Sequence, residues 1–129
     1  MNAYAAAAPT SAYKESAVLT APPEQLVLML YDGVNRFLFQ ATVAMRGGDF
    51  VVTNTKLQRA EAIIDELIAT LDHDQGGVIA DRLNALYLYS RRTLSESRIE
   101  KSPEKIEHVQ GIIRQLRDAW ADICPGAEV

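Results

Sequence analysis

Two histidines, one cysteine and four arginines clustered between residues 82 and 98 are the side chains of this 129-residue chain that could carry chemistry. Asp72-His73-Asp74 has ligand-type residues in a row, but no second His or Cys stands at a coordinating spacing to complete a metal set. The segment reads instead as a turn whose carboxylates cap a helix. His108 falls on the far side of its helix from the apolar seam and is expected to face solvent. A phosphotransfer bundle exposes a phosphoryl-accepting histidine in that way, yet the lysine-glycine pair of such domains is missing around Gly111. Cys124 sits beside Pro125 with no His or Lys in sequence reach to lower its pKa, which argues against a catalytic thiol. Gly76-Gly77 follows a helical pattern rather than a strand, so it is not a phosphate-binding loop. Arg82, Arg91, Arg92 and Arg98 read as a solvated face paired with Glu96 and Glu100. No enzyme, cofactor or metal site is expected.

The elements that would position these residues are helices. With 48% hydrophobic and 23% charged residues, 129 residues suffice for one self-sufficient core. Seventeen acidic residues against thirteen basic give a net charge of −4, without the basic footprint of a nucleic-acid binder. A lone cysteine excludes a disulfide framework and suits a reducing compartment. The longest apolar run, Leu26 to Tyr31, is far short of the ~20 residues that cross a bilayer. Met1 to Ala8 carries no basic residue of a secretory signal. A cytoplasmic protein without membrane insertion is the expectation.

Residues 1–20 are expected to form a flexible segment, disordered over Met1 to Pro9, whose Tyr13, Val18 and Leu19 would dock on the body. Residues 21–124 form the bundle, and 125–129 a short tail. Helix one is predicted from Pro23 to Met45, ended by Gly47-Gly48, and its apolar residues exceed one stripe, so it should be contacted on more than one side. Helix two follows the cap Asp49 and runs to Leu71, with Leu57, Ala60, Ile64, Leu67, Ile68 and Leu71 on one face and Glu61, Asp65 and Glu66 in water. Helix three covers Val78 to Glu100. Helix four, after Ser102-Pro103-Glu104, carries Ile106, Val109, Ile113, Leu116, Trp120 and Ile123 at alternating spacings of three and four. Short loops make this an all-α, antiparallel up-down four-helix bundle.

Helix three is anomalous. Leu83, Leu86, Tyr87 and Leu94, with Ile79 in the same arc, form its core face. Val78, Ala85, Leu88, Tyr89 and Ile99 lie on roughly the opposite side. Three readings are open: scattered surface apolars, a self-association face, or a groove for a partner's amphipathic helix. The surplus in helix one, with Leu28, Leu30 and Phe39, favours the groove.

Tyr13-Lys14 and the string Thr20-Ala21-Pro22-Pro23-Glu24-Gln25-Leu26-Val27-Leu28-Met29-Leu30-Tyr31-Asp32-Gly33 resemble the FliS-type flagellar secretion chaperone family. Ala69-Thr70-Leu71-Asp72 with Gly76-Gly77, Leu83-Asn84-Ala85-Leu86-Tyr87-Leu88-Tyr89 and Leu116-Arg117-Asp118-Ala119-Trp120 are similar to its further blocks, in colinear order. Pro22 departs from the serine that commonly caps helix one in the family. The resemblance implies a cytoplasmic helical bundle that binds the C-terminal segment of flagellin in an apolar groove, prevents premature polymerisation and delivers it to the flagellar type III export gate. It also implies that the N-terminal segment covers the groove when empty. On this reading Leu28, Tyr31, Asp32, Leu88 and Tyr89 contact the client, and Tyr13, Val18 and Leu19 form the self-covering segment. The empty protein could pair as a homodimer. A phosphotransfer or adaptor bundle and a homo-oligomeric structural bundle are the alternatives.

Overall fold

A computed structural model of the chain describes residues 23–123. The N-terminal segment with Tyr13, Val18 and Leu19, and Cys124 with the C-terminal tail, lie outside the described residues. Four helices follow in order: α1 (Pro23–Arg46), α2 (Phe50–Ala69), α3 (His73–Glu100) and α4 (Pro103–Ile123). Among the described residues there is no strand, and no helix is long and apolar enough to cross a membrane.

The turns follow from local chemistry. Pro23 and Glu24 open α1, where a fixed φ and a negative charge suit a helix N-terminus. Its far end closes in a Schellman motif: Gly48 takes φ +80°, Gly48 N donates to Met45 O at 3.0 Å and Asp49 N to Ala44 O at 2.9 Å. Asp49 then caps α2 by accepting from Val52 N at 3.1 Å. Asp72 caps the next helix by accepting from Asp74 N and Gln75 N. One helical turn follows before Gly77, at φ 51° and ψ −125°, breaks the path and α3 continues from Val78. Gly76 is needed for space, since a Cβ there would stand 2.8 Å from that of Ala80. Ser102 Oγ accepts from Lys105 N at the start of α4.

As its surplus of apolar residues predicts, α1 packs closely on both α2 and α4, and α3 closes the bundle with fewer contacts to either. Val34, Leu38, Leu57, Ile64, Leu94, Ile106, Val109 and Ile113 are wholly buried at the centre. The interior face of α3 is different in kind: beside Tyr87 and Leu94 it buries Ser90, Thr93 and Ser97. Ser90 and Ser97 return their hydroxyls to their own helix, to Leu86 O and Leu94 O, so no cross-helix partner is needed. Tyr31 of α1 and Tyr87 of α3 are both buried and share a hydroxyl–hydroxyl hydrogen bond of 2.6 Å.

Several expectations are corrected. α2 ends at Ala69, two residues before Leu71. Glu61 is buried rather than solvated: Arg98 Nη2 lies 2.9 Å and Arg91 Nη1 3.4 Å from its carboxylate. Arg91 also reaches Asp65 at 2.9 Å, so these arginines clamp α3 to α2 instead of pairing along their own helix. Glu96 and Glu100 take Lys105 of α4. Ile79 and Leu86, placed on the core face by their angle, are exposed, Ile79 to 70%. Ile79 follows the break at Gly77, where α2 has already ended and offers no wall to cover it. Ile123 is exposed for the same kind of reason, at the last residue of α4.

Two outcomes test this packing. Tyr31→Phe or Tyr87→Phe alone should cost about 1–2 kcal/mol in urea denaturation, because each leaves the other hydroxyl buried without a partner, and the double variant should cost less than the sum. Burial, chiefly, raises both phenols above their ordinary pKa of 10. The folded state therefore holds these protons more tightly, so the stability they contribute is intact below about pH 10 and lost as pH climbs higher. The double Phe variant should show a smaller fall between pH 9 and pH 11. Glu61→Gln, which removes the charge shared by Arg91 and Arg98, should lower stability by about 1.5–3 kcal/mol, against a negligible effect of Glu66→Gln.

Candidate functional site

The N-terminal end of α1, the C-terminal end of α2, the start of α3 and the last turns of α4 converge at one end of the bundle. There the helices leave an apolar pocket of about 230 Å³. Val27 and Tyr31 come from α1, Leu67 from α2, Leu71 from the connection after it, Ile79, Ala80, Leu83 and Tyr87 from α3, and Trp120 from α4. Thr70, Asp72 and Gly76 complete the rim. The Tyr31–Tyr87 pair satisfies its own hydroxyls within the wall, so the lining has little polarity to spend on water. Trp120 Nε1 donates to Glu24 O at 2.8 Å, which fixes the indole beside the first turn of α1. A preformed, mainly apolar recess of this kind accepts apolar side chains.

The structure separates the sequence-predicted contact residues rather than gathering them. Tyr31 lies in the pocket wall. Leu28 is 5% exposed, buried outside the central core cluster. Asp32 is at the surface and accepts from Arg117 Nε at 3.0 Å. Leu88 and Tyr89 are 49% and 38% exposed, on two flanks of α3. Leu88 borders a shallow polar depression with Asp65, Arg91, Arg92 and Ser95. Tyr89 faces α4, where its hydroxyl is 2.9 Å from His108 Nε2 and its ring meets the imidazole edge-on, with the Arg92 guanidinium 5.7 Å from the ring centre. Val78, Ile79 and Leu86 add exposed apolar surface along the same helix.

Sequence reasoning missed Val27, Leu71, Ile79, Leu83 and Trp120 as one lining. By spacing alone Leu71, Ile79, Leu83 and Trp120 read as core and Val27 as part of the apolar surplus of helix one, and a helical wheel cannot tell the middle of a bundle from its open end. The usable signal was the glycine pair, which marks where α3 starts anew and leaves the end of the bundle uncovered.

The titratable residues do not assemble into a centre. His73 Nδ1 is 3.0 Å from Asp81 Oδ1 at the exposed start of α3, and His108 is held by Tyr89 some way along the bundle. Among the described residues no group of three His, Cys, Asp or Glu side chains could hold a metal ion.

Comparison with known proteins agrees with the resemblance in the sequence blocks. The family model described as "Flagellar protein FliS" matches residues 5–127. The chain is 40% identical over 114 residues to the flagellar secretion chaperone FliS of Salmonella typhimurium, covering 88% of this chain and 84% of the relative. It is 34% identical to the protein of the same name from Campylobacter jejuni, over 88% of each chain, and 34% identical to that of Bacillus subtilis, over 87% and 83%. A match across nearly the whole chain, on a four-helix bundle, places it in a chaperone family: the chain belongs to the FliS family of flagellar secretion chaperones.

Proposed function

We propose that this protein binds the C-terminal segment of flagellin, keeps it from polymerising in the cytoplasm, and delivers it to the flagellar export gate. The observation that carries this reading is the apolar pocket at the bundle end, continuous at Ile79 with the exposed apolar residues of α3. A disordered client terminus would place one apolar side chain against Tyr31, Leu83 and Trp120 and lay an amphipathic turn along α3 towards Leu88 and Tyr89. Asp32, at the surface of α1, is the polar anchor. Coupled folding of such a segment buries on the order of 1,000–3,000 Å² and gives back several kcal/mol to ordering, which leaves the complex tight enough to hold and loose enough to release. The handover needs no nucleotide or metal.

The N-terminal segment is the cover for the same surface in the empty protein. Its chain enters α1 at Pro23, one turn from Val27 in the pocket wall. A chain spans at most about 3.5 Å per residue, so Leu19 reaches roughly 14 Å and Tyr13 roughly 35 Å from that entry, enough for Tyr13, Val18 and Leu19 to lie over the pocket. With neither client nor cover in place, the same apolar face is where two empty copies would pair as a homodimer.

Calorimetric titration with the C-terminal segment of the host's flagellin should give a dissociation constant well below 100 μM. No binding at that concentration, about −5.5 kcal/mol, overturns the proposal. Leu88→Asp and Tyr89→Asp should each weaken binding about tenfold while the helical circular dichroism signal stays intact, since both side chains already stand partly in water. Unchanged affinity in both variants would remove the flanks of α3 from the contact.

A further inference from the structure

The seam between α1 and α2 holds an arrangement the groove does not use. Three cations surround the ring of Phe37: the Arg36 guanidinium at 5.7 Å from its centre, Lys56 Nζ at 5.8 Å and the Arg59 guanidinium at 5.9 Å. None has a carboxylate within 4.0 Å among the described residues. Arg46, Arg91, Arg98, Lys105 and Arg117 do, while Arg82, Arg92, Lys101 and Arg114 stand singly without one among the described residues; Arg36, Lys56 and Arg59 are set apart by meeting at one ring. In a chain with seventeen acidic residues and thirteen basic ones, three cations meeting at one ring, with no carboxylate beside them among the described residues, is the reverse of what composition favours. The face of one ring attracts each cation weakly and cannot offset their mutual repulsion.

The same seam has an apolar end. A Cβ at Gly33 would stand 3.1 Å from Ile63 Cδ1, which sets the antiparallel register of α1 and α2. Carried along by one turn per four residues, that register sets Phe37 against Arg59 and brings Val52 abreast of Ala44 and the exposed Val43. Cations and exposed valines therefore follow one another along one line.

We propose that this seam is a second docking site, for a short acidic segment of a partner protein. Two or three of its carboxylates meet Arg36, Lys56 and Arg59, and a neighbouring apolar side chain meets Val43 and Val52. A nucleic acid is the poorer occupant, because three cations on a chain of net charge −4 offer no extended basic track for a phosphate backbone. The site is separate from the pocket and from the flanks of α3, so its occupation is independent of flagellin binding.

The probe is a fluorescein-labelled, amidated hexapeptide, Glu-Glu-Leu-Leu-Glu-Glu, titrated into the full chain by anisotropy. Binding is expected at about 20 mM salt and should weaken at least fivefold at about 200 mM, as screening shortens the reach of the charges. Lys56→Glu combined with Arg59→Glu should weaken it tenfold or more. Arg82→Glu combined with Arg114→Glu, which changes the net charge equally, should alter it less than twofold. Should the first pair disturb the helical signal, Lys56→Gln with Arg59→Gln gives the same direction with a smaller loss. Absence of binding at low salt, an equal loss in the control pair, or tighter binding of a ten-nucleotide oligo-dT than of the peptide would each overturn the proposal.

Discussion

The architecture depends on α1, a helix too apolar for one neighbour. Leu28, Tyr31, Val34, Leu38, Ala41 and Met45 are all buried along it, and Val27, Leu30 and Phe37 are half-buried against the same core. A helix with that breadth of apolar surface reaches a low free energy only when partners approach from two sides, and α2 and α4 do so. Once those two contacts are made, most of the aliphatic side chains of the core have been used. The remaining helix, α3, is held by other means.

Those means are polar and specific. Tyr87 bonds Tyr31 across the core, Arg91 and Arg98 close on Glu61, and Ser90 and Ser97 fill narrow spaces with self-satisfied hydroxyls. Small side chains let α3 approach without consuming large apolar ones. Beyond Leu83, Tyr87 and Leu94, its large apolar residues, among them Val78, Ile79, Leu88, Tyr89 and Ile99, stand outside. A helix that is polar within and apolar without is a poor design for an isolated monomer and a good one for a protein that holds another chain. The pocket arises from the same economy, since the helix ends splay around Gly76 and Gly77 before any element closes over Val27, Leu71 and Trp120.

On the proposed function, the pocket offers its client a ready-made shape, while the client bears the ordering entropy. The Trp120–Glu24 and Tyr31–Tyr87 hydrogen bonds hold the pocket walls in place before anything enters. That preorganisation limits the entropic loss to the incoming segment. The α1–α2 seam is a different kind of surface. Its cations have no carboxylate within salt-bridge distance among the described residues, and any attraction it exerts is long-ranged and salt-sensitive.

The amino-acid sequence alone determined four helices, their caps at Asp49, Asp72 and Ser102, the breaks at Gly47-Gly48 and Gly76-Gly77, and the central role of α1. These depend on backbone chemistry and on periodicities that repeat every three or four residues, so they are readable locally. The four colinear blocks likewise carried the family. The tertiary structure alone decided which carboxylate Arg91 and Arg98 would meet, that Glu61 would go inside, and that Ile79 would stand open while Leu28 was sealed. A helical wheel gives direction but not depth: it says which way a side chain points and nothing of how far along the bundle its neighbours extend. Burial, ion pairing across helices and the existence of a pocket are set by contacts between different helices, such as Arg98 to Glu61, 37 positions apart, and Trp120 to Glu24, 96 apart, and no local spacing encodes them.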